Sequence, residues 1–144
     1  MRIEYRYQYL WGAFLLRFSL GLLFFAAAMG KFLGKGGVAG FLEYIQGKFA
    51  GTWLPPVLYQ SFGQVIPYVE IFLGIVLMLG IFRLAGLVLG SLHMLGLAFG
   101  MMVTGDWPVV AANLFYVALF AAALLTSPWD RIHLDTLIFR RRSE

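Results

Sequence analysis

Hydrophobic positions fall along this chain in four long blocks, separated by short polar or glycine-rich breaks. The blocks, at about 10–32, 62–82, 84–104 and 107–126, each supply the roughly 20 residues a helix needs to cross a bilayer. Between the first two lies GKGGVAGFLEYIQGKFAGTWLPPVLYQS, where glycines and the Pro55-Pro56 pair preclude another span. Its middle, about 37–50, is short and amphipathic and predicts a helix lying at the membrane interface. Trp53, Tyr59 and Tyr68 fit the aromatic belt expected at that depth. The tight connection at Ile81-Phe82-Arg83 predicts an antiparallel hairpin of the second and third spans. Thr104-Gly105-Asp106 makes the next turn, Pro108 suits a first helical turn, and Pro128 ends the fourth helix. The predicted fold is all-α: an integral membrane four-helix bundle in one domain over 1–144, with a short interfacial helix between spans one and two.

Composition agrees with that pattern. Hydrophobic residues make up 61% of the 144 positions and charged residues 12%, and the mean hydropathy is +0.82. A soluble domain is nearer half apolar and a quarter charged, and a chain this short cannot hide the excess in a core. The absence of cysteine excludes disulfide staples, thiol relays, iron–sulfur ligation and thiolate catalysis. The N-terminus lacks the compact basic region and small-residue cleavage site of a signal peptide, so it reads as retained.

The net charge of +4, with Arg140, Arg141 and Arg142 prominent, reads as a topology signal and not as nucleic-acid binding. Arg2, Arg6, Arg83, Arg131 and those three share one face, against Lys31, Lys35 and Lys48 on the other. That bias predicts both termini in the cytoplasm of a bacterial or archaeal plasma membrane.

Depth then makes the internal charges informative. At about 1.5 Å per residue, Arg17 lies roughly 10 Å in from the face carrying the termini, His93 roughly 15 Å, Glu70 roughly 18 Å and Asn113 roughly 20 Å. Three-four spacing puts Arg17, Gly21, Phe24, Ala28 and Lys31 on one stripe. It does the same for Gly63, Pro67, Glu70 and Gly74, and again for Gly86, Gly90, His93, Leu97 and Gly100. Small residues beside a polar one mark a helix–helix contact, so the charges are expected to face inward.

An unpaired charge at this depth costs at least about 2.5–3.5 kcal/mol. Two readings of Arg17 are open: a link to Glu70, or a side chain snorkelling to the headgroups. Lys31, near the other end of the span, is expected to reach the opposite headgroups. His93 has three readings: a neutral imidazole bonded to Glu70 or Asn113, a proton-handling or quinone-binding group, or a tetrapyrrole ligand. The lack of a second histidine at matching depth argues against a bis-histidine haem, and one histidine with one carboxylate is too little for a metal site.

The order Arg17–Gly21, Gly30-Lys31-Phe32, a glycine-rich connection ending in proline, then PYVEIFLGIVLMLGIFRLAGLVLG from Pro67 to Gly90, resembles the DoxX/DoxD family. Members of that family often close on a serine–leucine–aspartate tail, which RIHLDTLI at 131–138 resembles with His133 in the serine position. The resemblance covers about 12–138 and rests on the order of several weak motifs. It implies a four-helix membrane protein linked to redox complexes, such as an accessory subunit of thiosulfate:quinone oxidoreductase. The matching family positions are Arg17, Gly21, Lys31, Glu70, Gly74, Arg83 and Asp135.

Two functions are weighed. The first is a subunit of a quinone-linked electron-transfer complex with no redox centre of its own and no covalently bound cofactor. There Arg17 would hold Glu70 and a quinone carbonyl, Glu70 or His93 would pass protons, and Phe24 and Phe25 would line the headgroup pocket. The second is a non-catalytic assembly subunit whose glycine faces pack on a larger respiratory or photosynthetic complex, or on another copy, with His93 as the pigment ligand in the photosynthetic case. Four spans without an inverted repeat leave little room for a transporter's alternating access.

Overall fold

The computed structural model describes residues 2–135, with side chains from residue 5 onward. The Arg140–Arg142 run, the end of the 131–138 segment and the side chain of Arg2 lie outside the described residues. Within them the regular structure is helical: α1 Arg2–Leu33, α2 Gly37–Phe49, α3 Pro56–Leu79, α4 Arg83–Thr104 and α5 Trp107–Thr126, closed by a 3₁₀ turn at Ser127–Trp129. Four stretches, Tyr5–Leu33, Pro56–Leu79, Arg83–Thr104 and Trp107–Trp129, are long and apolar enough to cross a membrane.

Two boundaries differ from the hydrophobic pattern. Helix α1 starts at Arg2 and not near 10, because helix propagates readily into a polar flank once the apolar turns are formed. Helix α3 starts at Pro56 and not near 62, since a proline at the first helical position lacks only an N–H that would have no helical partner.

Pairing of the spans also differs from the expected hairpin. Helix α1 packs chiefly on α3, and α4 on α5, whereas the consecutive α3 and α4 share little. The α1–α3 contact is nearly backbone on backbone. A Cβ at Gly74 would fall 2.7 Å from the Phe25 nitrogen, and one at Gly21 2.8 Å from the Met78 nitrogen. Lipid tails are as apolar as these side chains, so such close packing, and not hydrophobic exclusion, holds the helices together. Around it Leu20, Phe24, Leu73, Leu77, Leu87, Met94, Phe120 and Ala123 form the buried core. The predicted stripe of α1 is this inner face: Arg17, Gly21, Phe24 and Ala28 are all buried.

Helix α2 lies over α3 with Ile45 and Phe49 buried and Tyr44 exposed. Where α3 and α4 diverge, away from their connecting turn, α2 roofs the gap.

Candidate functional site

The α1–α3 interlock decides which charges meet. Phe25 lies against Gly74 and Gly21 against Met78, and extending that antiparallel register sets Glu70 level with Met29. Lys31 is therefore within reach of Glu70, while Arg17, twelve residues from Met29, stands about 18 Å away at helical rise.

The expected Arg17–Glu70 link is accordingly absent. Arg17 donates Nε–H to Asp130 Oδ2 at 2.5 Å, with side chains 2% and 3% exposed. Its other nitrogens donate to the carbonyls of Leu77, of Met78 at 3.2 Å and of Ile132 at 2.5 Å. Arg17 is thus held inside the bundle, and the snorkelling reading falls with the pairing. Around it Arg83 donates to the Ser127 and Asp130 carbonyls at 2.5 and 2.9 Å. Asp135 accepts from the backbone N–H groups of Phe82 at 2.6 Å and Arg83 at 3.1 Å, capping α4 through its first amides. The Leu134 and Asp135 amides bond to the Leu79 and Gly80 carbonyls, fastening residues 130–135 across the α3–α4 turn. Gly80 has φ +68, and a Cβ there would lie 2.5 Å from that of His133, so the turn admits only glycine comfortably. Burial, and then the positive charge of Arg83, lowers the His133 pKa below 6.5. Arg17, Arg83 and Asp135, three of the residues singled out from the sequence, thus serve a clamp that ties the tail to the bundle.

Glu70 belongs to a second cluster. Its Oε2 accepts from Lys31 Nζ at 2.6 Å, and Glu70 is buried. Lys31 does not extend to headgroups: helical side chains lean towards the N-terminus, and Nζ runs back to within 3.3 Å of the Ala27 carbonyl. The ring of Phe41 from α2 lies 5.2 Å from Nζ and covers the pair. On the other side of Glu70, His93 Nε2 stands 3.8 Å from Oε1, beyond hydrogen-bonding range. That nitrogen is buried and has no hydrogen-bond partner among the described residues, so the reading of an imidazole bonded to Glu70 or Asn113 does not hold. The imidazole ring meets Phe24 edge-on at 5.5 Å.

Lys31, Glu70, His93 and Asn113 all line one cavity of about 460 Å³, enclosed by α2, α3, α4 and α5. Of the four intramembrane polar residues singled out from the sequence, the fold therefore brings three together and sends Arg17 elsewhere. The rest of the wall is apolar and aromatic, including Phe41, Tyr44, Phe49, Tyr59, Phe62 and Phe99. Phe24, expected in the pocket, is instead fully buried core, and Phe25 lies against Gly74. On the floor, Gly96 has no atom within 4 Å of where a Cβ would stand, so half of the Gly96/Gly100 pair serves space and not helix contact. The roof is fastened by Lys48, which donates to Asp106 Oδ2 at 2.5 Å and to the Tyr44 hydroxyl at 3.0 Å. Their hydrogen bond raises the Lys48 pKa above 10.5 and lowers that of Asp106 below 3.8.

Lys48, Asp106 and Asp130 escaped the sequence reading. A signal for Asp130 was available: Arg17 needs a carboxylate near the face carrying the termini, and Asp130 stands at the end of the fourth apolar block. The lid tie had none, because the fold of the 34–61 connection is set by packing.

Chemically, the cavity combines an apolar chamber with an ammonium donor, a carboxylate and an unpartnered imidazole at one end. Its volume lies within the about 300–1,000 Å³ of small-molecule sites, and its few convergent polar groups are what orient a ligand. Among the described residues no three His, Asp or Glu side chains assemble as a metal-binding set.

No protein-family model matches the chain, and neither a curated protein nor a solved structure matches it. Fold and composition place it in the class of multi-pass helical membrane proteins.

Proposed function

We propose that this chain is a DoxX-like subunit of a quinone-linked electron-transfer complex, binding the quinone headgroup in the α2–α5 cavity and handling its protons. In this reading it sits in a bacterial or archaeal plasma membrane with both termini cytoplasmic and α2 at the opposite interface. The observation that carries it is the buried His93 Nε2, unpartnered and 3.8 Å from Glu70, on the wall of a largely apolar chamber within the bundle. Buried polar atoms are nearly always satisfied, so an unpartnered one on a residue that lines a cavity points to a partner supplied from there.

A bound quinone supplies the two-electron, two-proton chemistry, the electrons coming from a redox centre on a partner subunit. Lys31 orients one carbonyl oxygen through its ammonium while Glu70 neutralises that charge. His93, on the same wall, would hydrogen-bond the headgroup once its ring turns towards the chamber, and would relay a proton between the headgroup and Glu70 across the 3.8 Å gap. The aromatic walls exclude water and hold the ring.

The assembly-subunit reading has less support. Gly21, Gly63, Gly74, Gly86 and Gly90, which would have packed on a partner, meet atoms of this chain itself.

Titration of a short-tailed quinone into the protein in lipid nanodiscs, followed by calorimetry, tests the proposal. Gly96→Phe fills the chamber and His93→Leu removes the polar contact; each is expected to weaken binding at least tenfold with helicity unchanged. Unaltered affinity in both variants refutes it.

A further inference from the structure

At the end of the bundle that carries the tail clamp lies a second hollow, of about 270 Å³, lined by Arg6, Tyr7, Leu10, Trp129 and Arg131. We propose that it is a binding site for the headgroup of an anionic phospholipid. This inference does not depend on the quinone reading.

The first observation is charge without a partner. Arg6 and Arg131 both line one small hollow, and neither makes a hydrogen bond or ion pair among the described residues. The carboxylates of the adjoining tail are engaged elsewhere: Asp130 with Arg17, and Asp135 with the first amides of α4. A pair of planar, permanently charged forks matches the oxygens of a phosphate bidentately, better than lysines would.

The second observation is where the hollow sits. Trp129 is the last residue of the fourth apolar span, and Leu10 begins the first apolar block of the sequence, so the hollow lies where apolar chain gives way to polar flank. Exposed Tyr5, Tyr7, Tyr9 and Trp11 follow one another along this end of α1, with Tyr9 stacked on Trp129 at 5.4 Å. Aromatic side chains of this kind occupy the headgroup region, where basic pockets between spans recognise anionic lipids.

The third observation is the mixed lining. Leu10 and Trp129 give the hollow apolar surface beside its two arginines. A soluble phosphate gains nothing from that surface, whereas a phospholipid lays its glycerol and upper acyl carbons on it. Positive charge and apolar surface in one hollow fit an amphiphile with an anionic head.

The full chain in detergent is to be titrated with phosphatidylglycerol, phosphatidylcholine and inorganic phosphate, with retained lipid counted by native mass spectrometry. Phosphatidylglycerol is expected to bind at least tenfold more tightly than the zwitterionic lipid. The Arg6→Gln/Arg131→Gln double variant is expected to lose that preference. A Lys35→Glu variant, with the same net charge as the double variant, is expected to keep it. Equal binding of both lipids, preference surviving in the double variant, or equal loss in the Lys35→Glu variant each overturns the proposal. Binding of inorganic phosphate as tight as that of the lipid overturns it as well.

Discussion

The guanidinium of Arg17 meets the carboxylate of Asp130 across 113 positions of sequence, at 2.5 Å and almost wholly out of reach of solvent. One residue lies mid-span in α1 and the other just past the last turn of the bundle. Their meeting converts a charge that the membrane should reject into a fastening for the tail.

Removing one partner should therefore cost more than removing both. Asp130→Ala leaves a buried guanidinium with only carbonyl partners, and breaking such a pair costs about 3 kcal/mol. Arg17→Met together with Asp130→Leu should lose less than either single change. Thermal unfolding in a mild detergent, run as a double-mutant cycle, measures the coupling.

Close approach of α1 and α3 gives a steric prediction. Gly74→Ala drives a methyl to 2.7 Å from the Phe25 backbone, where no side-chain rotation relieves it, and should destabilise by about 1–3 kcal/mol. Gly96→Ala meets nothing within 4 Å and should leave the unfolding midpoint unchanged.

His133 should give the clamp a pH dependence. Its folded pKa lies below 6.5, so in acid the unfolded chain binds a proton that the folded chain resists. The stability involved is complete above pH 6.5 and is lost as pH falls below it. The unfolding midpoint should drop from pH 8 to pH 5.5, with the slope reduced in His133→Gln.

The lid tie should ignore neutral pH. Lys48 keeps its charge to above pH 10.5 and Asp106 to below pH 3.8, so the contact weakens only as pH passes beyond either limit. Asp106→Asn should speed hydrogen exchange across α2 at pH 7 while the core of α3 keeps its protection.

Much of this architecture is legible in the sequence, since span length, proline and glycine punctuation and the inward stripe of α1 all follow from local periodicity. Pairing of charges was not. Arg17 and Lys31 share one stripe, so periodicity offers Glu70 two cations and no means of choosing. The choice is made by the register in which Gly21 and Gly74 interlock, a tertiary fact that shifts α1 by several residues relative to a depth count from the membrane faces. The cavity was legible only as a set of polar residues at similar depth. Its roof depends on how α2 folds back, which no periodicity in 34–61 specifies.

The clamp also has a consequence for biosynthesis. A ribosome makes Arg17 long before Asp130 and Ile132, the residues that neutralise and cap it. Throughout that interval α1 carries a cation without its carboxylate, so this span is completed only by a segment that follows the fourth apolar helix. Chains truncated after Thr126 retain all four apolar segments but none of those late partners, and in pulse-chase labelling they should turn over faster than the full-length chain.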